Sequence, residues 1–253
     1  MLETNQIYLG DCLDLMKKID DETVDFIFTD LPYGTTNAGF DKPIDLELFW
    51  EQVNRVTKQS ACVALWCQQP FTTDLVNSNR KHFKYEWVIE KNRRTGFLNA
   101  KKHPLKAHET VLIFYRKQPT YNPQKTQGHP RKVSLASHKK KCRQSENYNE
   151  ADKYTDYDST ERYPRSVLKF KWTSHNKVDH PQQKPVDGCE YFIRTYTNEG
   201  DLVVDCTTGV GTICRAARNL NRRFIGFEME PKFHKIAVAK CCDRSKEKQE
   251  ANT

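Results

Sequence analysis

The chain has 253 residues, nine cysteines and a formal net charge of +8. It holds no run of about 18 apolar residues, its Met1-Leu2-Glu3-Thr4-Asn5-Gln6 start has neither a basic nor an apolar segment, and its cysteines include no Cys-x-x-Cys. These features speak against a membrane span, a secretory signal, a disulfide framework and a zinc or other metal site, and predict a cytoplasmic protein with buried thiols.

The length suits one large α/β domain or a core domain with an inserted module. Charge is spread unevenly. Residues 1–79 carry 5 basic and 13 acidic residues, residues 80–106 carry 9 and 2, and residues 116–179 carry 15 and 7. Two central blocks therefore hold the positive excess, a pattern that points to a polyanionic partner.

Gln6-Ile7-Tyr8-Leu9 reads as a short strand ended by Gly10-Asp11, and a helix follows from Leu13 to Ile19. Asp11 is placed to cap that helix or to accept from a ligand amine at the sheet edge. Val24 to Thr29 is a β-branched and aromatic run that reads as a buried strand. It delivers Asp30-Leu31-Pro32-Tyr33-Gly34, a loop with chemistry available. Asp30 supplies a carboxylate, Pro32 biases Leu31 towards extended geometry and so holds the Leu31 carbonyl in one direction, and Tyr33 offers a flat π-face. Two acceptors beside an aromatic suit a planar ring with an exocyclic amine.

Leu46 to Val56 has helical periodicity, Ala61 to Trp66 is an apolar strand, and Phe71 to Val76 is a short helix with Pro70 in its first turn. Phe83 to Glu90 alternates as an exposed antiparallel strand and leads into a basic loop with Arg93 and Arg94. His108 to Tyr115 is its expected partner in a hairpin-like edge. From Arg116 to Asp179 apolar periodicity disappears. The run from Arg131 to Arg143 holds Arg131, Lys132, Lys139, Lys140, Lys141 and Arg143 with no acid. Tyr148, Tyr154, Tyr157, Tyr163, Phe170 and Trp172 offer this region material for a small packed module.

Periodicity returns with a helix from Val186 to Tyr196, a strand from Asp201 to Asp205, a glycine turn from Cys206 to Thr212, a helix to Leu220, a strand from Arg223 to Glu228, and a last helix from Lys232 to Cys241. Such a strand–turn–helix–strand unit binds ligands at the carboxyl ends of its strands. Gly209 and Gly211 permit close backbone approach at a helix N-terminus. Glu228 lies 17 residues past Gly211, where an acid can accept both hydroxyls of a ribose. With two glycines rather than three, and no Gly-Lys-Ser/Thr, a dinucleotide or a triphosphate is disfavoured.

Together these motifs resemble the permuted β group of DNA amino-methyltransferases, which methylate adenine N6 or cytosine N4. Asp30-Leu31-Pro32-Tyr33 resembles that family's Asp-Pro-Pro-Tyr. Asp205 to Thr212 resembles its cofactor loop, Asp-Pro-Phe-x-Gly-Ser-Gly-Thr, and His180-Pro181-Gln182-Gln183-Lys184-Pro185 resembles His-Pro-Thr-Gln-Lys-Pro. Gly10-Asp11 and Arg222 to Glu228 match the adenine and ribose sites, with the catalytic motif first and the cofactor motif last. The matches span about residues 6–115 and 180–242.

The resemblance implies a Rossmann-like methyltransferase fold with a mostly parallel sheet, an antiparallel edge strand, permuted motif order and an inserted recognition region. It divides the chain into a catalytic half at 1–115, a target-recognition insertion at 116–179 and a cofactor-binding half at 180–253. It implies S-adenosylmethionine as cofactor, double-stranded DNA as partner, a setting of the restriction–modification kind and room for a homodimer. Catalytic roles fall on Asp30, Leu31, Pro32 and Tyr33. Cofactor roles fall on Asp11, Lys184, Asp205, Thr207, Gly209, Gly211, Thr212 and Glu228.

DNA contacts are expected from Arg93, Arg94 and the six basic residues between 131 and 143. His103, His108 and His180 are read as structural or DNA-facing. The acid at position 30 leans towards adenine. Leu31 stands where the family has proline, Thr207 where it has an aromatic, and Val210 where it has a small polar residue. Cytosine N4, RNA or protein glutamine as target, and an inactive DNA-binding homologue, remain the alternatives.

Overall fold

The computed structural model describes residues 2–34, 43–137, 155–172, 179 and 183–242. Within them the chain forms two compact units, residues 1–122 with 166–253 and residues 123–165.

The larger unit is built on one eight-stranded sheet. Its strands are β1 (Gln6–Leu9), β2 (Val24–Thr29), β3 (Thr57–Cys67), β4 (Phe83–Thr95), β5 (Lys106–Phe114), β8 (Val167–Phe170), β9 (Leu202–Asp205) and β10 (Arg223–Glu228), in the order β1-β10-β9-β2-β3-β5-β4-β8. β1, β10, β9, β2 and β3 run parallel, and β5 runs antiparallel to both β3 and β4. The expected mostly parallel sheet is there. Its antiparallel strand is β5, covered on its outer side by β4 and then by β8, which pairs parallel to β4.

The central strands are apolar on both faces because helices cover both faces. Along β2, Ile27 faces one core, and Phe26 and Phe28 face the other, as the period of two requires. On the first face lie α1 (Cys12–Met16), α2 (Leu46–Val56) and α3 (Phe71–Ser78). On the second lie α4 (Val186–Tyr196), α5 (Thr212–Asn219) and α6 (Pro231–Cys241). α2 starts where Asp45 accepts from the backbone of Glu47 and Leu48, and it buries Phe49, Trp50, Val53 and Val56 at helical spacing. Fully buried side chains of this size contribute about 1.5–3 kcal/mol each.

Two features of the basic central region differ from the sequence expectation. Val167–Phe170, inside the stretch read as insertion, is the edge strand β8 of the main sheet. Phe170 and Trp172 pack against Tyr191 and Trp66 of the main core, so they do not fill a separate module. Apolar alternation over four residues was too short a signal within so polar a surrounding.

The smaller unit, residues 123–165, contains the antiparallel pair β6 (Lys132–Ser134) and β7 (Tyr157–Ser159) and a bridge between Thr126 and Arg162. Tyr157 donates to the Glu161 carbonyl at 2.6 Å, and Lys125 sits 5.0 Å over the Tyr163 ring. Tyr148 and Tyr154 lie outside the described residues. Among the described residues eight cysteines are free thiols, seven of them buried. No helix among the described residues is long and apolar enough to cross a membrane.

Candidate active site

Parallel strands deliver their carboxyl ends to one edge, and here four of them deliver an acid. β10 ends in Glu228 and β9 in Asp205, while β1 and β2 lead directly into Asp11 and Asp30. These acids line one cavity of about 420 Å³, together with Gly10, Leu31, Pro32, Lys184, Thr207, Gly209, Thr212 and neighbours. A crevice at this edge, where strand order reverses between β9 and β2, is where open α/β sheets take ligands.

On the β9–β10 side, Glu228 is buried, and its two oxygens accept from the backbone N–H groups of Gly209 (2.7 Å) and Glu230 (2.8 Å). Burial raises its pKa above the ordinary carboxylate range, against those amides. Each oxygen retains a lone pair for a further donor. Asp205 is buried, with the Thr207 amide 3.3 Å from one oxygen; burial pushes its pKa up to about 7. Gly209 has φ +55°, and a Cβ added there would meet nothing within 4 Å, so the loop is open to the cavity. Gly211 serves differently. A Cβ there would lie 2.6 Å from the Cys241 sulfur, so its bareness lets α6 pack, and it does not line the cavity. Asp11 caps α1 by accepting from Leu13 N at 2.7 Å, and it also lines the cavity.

On the β2 side, Asp30 is the centre of a charge network. One of its oxygens accepts from the Tyr33 hydroxyl, and the other lies 3.0 Å from Lys184 Nζ. The same ammonium lies 3.0 Å from Glu109 Oε2. Glu109 also accepts from the Trp66 indole at 2.6 Å and from Lys91 at 3.1 Å. These side chains are between 7% and 18% exposed. Burial raises the Asp30 carboxyl, and Lys184 and Tyr33 only partly offset it. Burial alone would raise Glu109 as well, but Lys184 and Lys91 bring it down to about 2. Burial opposes the Lys184 ammonium, yet its two carboxylates hold it above its ordinary value.

The loops are joined by a third contact. The Thr207 hydroxyl donates to the Asp30 carbonyl at 3.0 Å and lies 2.8 Å from the Thr29 hydroxyl. Leu31 is buried in the core behind the site.

A family model described as DNA methylase, covering N6 and N4 enzymes, matches residues 24–239. The chain belongs to this family. It is 30% identical over 260 residues to the type II methyltransferase M.BglII of Bacillus subtilis, covering 92% of this chain and 68% of that one. It is 26% identical to the DNA adenine methyltransferase YhdJ of Escherichia coli, covering 93% and 82%. In fold it resembles the crystal structure of the M1.HpyAVI–SAM complex, with a TM-score of 0.61, 20% identity and coverage of 93% and 98%.

Thr207 ties the turn at 205–212 to the Asp30 loop. Tyr33, read as a stacking face, turns its hydroxyl onto Asp30 and packs 5.5 Å from the Phe71 ring. Glu109, Lys91 and Trp66 were not singled out from the sequence. A signal was present: Glu109 shares its strand face with buried Val111 and Ile113, an inward position where an acid needs a partner.

Arg93 and Arg94 are exposed where β4 runs past Glu90. Beyond Gly96 (φ +92°) the tip presents Phe97 and Leu98, 69% and 101% exposed. Lys132 is exposed on β6, whereas Arg131 is engaged by both oxygens of Asp158 at 2.7 and 2.5 Å. Lys139, Lys140, Lys141, Arg143 and His180 lie outside the described residues. His103 and His108 are exposed and away from the cavity. Among the described residues no cluster of three His, Cys, Asp or Glu could hold a metal.

Proposed function

We propose that this DNA methylase transfers a methyl group from S-adenosylmethionine to adenine N6 of a base flipped out of duplex DNA. The observation that carries the reading is that Asp30, the acid of the amine-binding loop, lines the same cavity as Glu228, Asp205 and the Gly209 turn. Donor and acceptor groups thereby meet in one pocket. The acid at position 30 and the similarity to a named adenine methyltransferase support adenine over cytosine.

The residues present fit such a cofactor. Glu228 offers carboxylate oxygens to a ribose, the bare Gly209 turn admits a nucleoside closely, and Asp11 and Thr212 offer polar groups along the same wall. S-adenosylmethionine held there supplies a methyl group on a positively charged sulfur. Asp30 and the Leu31 carbonyl accept from the two N–H bonds of the target amine and orient its lone pair across the cavity. Tyr33 offers its ring to the flipped base, whose unstacking costs a few kcal/mol. As the nitrogen–carbon bond forms and the carbon–sulfur bond breaks, Asp30 is positioned to take the amine proton. Proximity and orientation supply most of the acceleration.

Arg93, Arg94, Lys132 and the basic run from Lys139 to Arg143 are assigned to DNA phosphates. Nucleoside mass spectrometry of duplex DNA treated with enzyme and cofactor tests the base. N6-methyladenine is the expected product. N4-methylcytosine alone would transfer the same geometry to cytosine. Replacing Lys139, Lys140 and Lys141 by Ala is expected to flatten the salt dependence of DNA binding by up to about three units.

A further inference from the structure

We propose that Glu109 is a positioning residue for methyl transfer: through Lys184 it sets the placement and charge balance of Asp30. This rests on the reading that Asp30 receives the target amine.

The geometry runs in one line. Glu109 is fixed on three sides, by the Trp66 indole at 2.6 Å, by Lys91 at 3.1 Å and by Lys184 at 3.0 Å. A carboxylate with three donors and rigid neighbours has one orientation available. Lys184 therefore cannot swing freely. Its ammonium is shared between Glu109 Oε2 and Asp30 Oδ2, each at 3.0 Å. Sharing matters chemically. A lysine paired with Asp30 alone would bind it fully and weaken it as an acceptor for the incoming amine. Glu109 draws part of that charge away, so Asp30 keeps more of its strength as an acceptor. When the amine arrives at Asp30, Lys184 retains a partner and no buried charge is stranded.

The groups that face Asp30 are Tyr33 from its own loop, Lys184 ahead of α4, Cys189 of α4, Glu109 on β5 with Lys91 of β4 behind it, Asp205 at the end of β9, and Cys67 at the end of β3. Among them Glu109 is the carboxylate held ionised, its pKa brought down to about 2, while burial pushes Asp205 up to about 7. Glu109 and Lys91 make no part of the cavity lining, and Glu109 reaches it through Lys184, which lines the cavity beside Asp30.

Single-turnover methyl transfer against pH, with Glu109→Gln and Lys91→Met in the full chain, tests this. Removing the Glu109 charge favours the ionised form of Asp30. The acid limb of the Glu109→Gln profile should thus move to lower pH, and its plateau rate should fall on the order of tenfold to a hundredfold, as for loss of part of an acid–base contribution. Removing the Lys91 charge acts in the opposite sense, so its acid limb should move to higher pH. Calorimetric S-adenosylmethionine affinity should change by less than about twofold in both variants.

Lower rates with both acid limbs unmoved and a lowered melting temperature would make Glu109 a fold residue only and overturn the proposal. If Glu109→Gln does not fold, Lys91→Met alone decides by the direction of its limb. Asp30→Ala is measured alongside. Retained activity there would sink the parent reading of Asp30, whatever the Glu109 result.

Discussion

Charged side chains behave differently in two regions of this molecule. At the β2 edge, Asp30, Lys184, Glu109 and Lys91 are almost fully removed from water, and each has a partner in hydrogen-bonding range. In the unit from 123 to 165, Arg131 and Asp158 pair at a surface where both remain at least half exposed. Burial makes the first set compulsory: a lone charge there would be costly, so each partner fixes the next. Exposure makes the second set optional, because water can replace either partner. The first region is therefore built before any ligand arrives, while the second is free to exchange partners with a polyanion.

The largest expected effect lies in the buried set. Asp30→Ala should abolish methyl transfer, a loss of at least about 10²–10⁴-fold, with S-adenosylmethionine affinity nearly intact. Asp30 follows β2 and is the residue proposed to receive the amine, whereas the proposed ribose acceptor is Glu228 on β10. Calorimetry beside a rate assay checks it. A parallel loss of cofactor affinity would put Asp30 on the cofactor side.

Lys184→Met should come next, in stability. It strands two buried carboxylates, and removing one member of a buried pair costs about 3–5 kcal/mol. Glu109 also gives this a pH signature. Its folded pKa of about 2 lies below the ordinary glutamate value of 4.5, so its contribution is present above 4.5 and is lost as pH falls through about 2. In Lys184→Met that depression should largely vanish, and the penalty should shrink as the solution becomes acid enough to protonate the stranded pair. Urea midpoints for wild type and variant at pH 7 and pH 4 read this. An equal penalty at both pH values would show that packing, not charge, is what Lys184 contributes.

Much of this site was legible in the sequence because it sits in short, local patterns. Asp30, Asp205 and Glu228 each end an apolar strand, and parallel strands deliver their ends to one edge. The helices over Leu46–Val56 and Val186–Tyr196 matched their periodicity residue for residue. What stayed illegible is what depends on pairing between distant strands. Glu109 meets Lys184 across 75 residues and Trp66 across 43, and only the β3–β5–β4 order puts them together. Gly211 shows a subtler limit. The motif predicts a close approach at this glycine, and the protein neighbour it meets is Cys241. A turn motif says that something comes near and leaves open what it is.

Asp205 sharpens the contrast with a smaller effect. Its folded pKa of about 7 stands above 3.8, so the folded state holds the proton longer than the unfolded one. The sign follows: stability falls as pH rises between 3.8 and about 7. Asp205→Asn should remove that fall, gaining a few kcal/mol at most at pH 8 relative to pH 4. Denaturant unfolding across this window is the measurement. A variant that kept the wild-type slope would move the pH dependence to another acid of the edge.

The smallest effects belong to the exposed set, and there the test is of sign. Arg131 is held by both oxygens of Asp158, whereas Lys132 is exposed on β6. If this unit faces DNA phosphates, Asp158→Asn frees a guanidinium for them. Binding should then tighten, and its salt slope should steepen by about 0.9, the value for one additional phosphate neutralised. Lys132→Ala should do the reverse, flattening the slope by about 0.9. Phosphate contacts carry no base information, so both changes should apply alike to target and non-target duplexes. Neither should shift the melting temperature, since neither side chain is buried. Titrations at several salt concentrations decide between exchangeable partners and idle surface charge. Two unchanged slopes would leave this unit's cations to solvent, and would move the DNA contact to Arg93 and Arg94 near the end of β4.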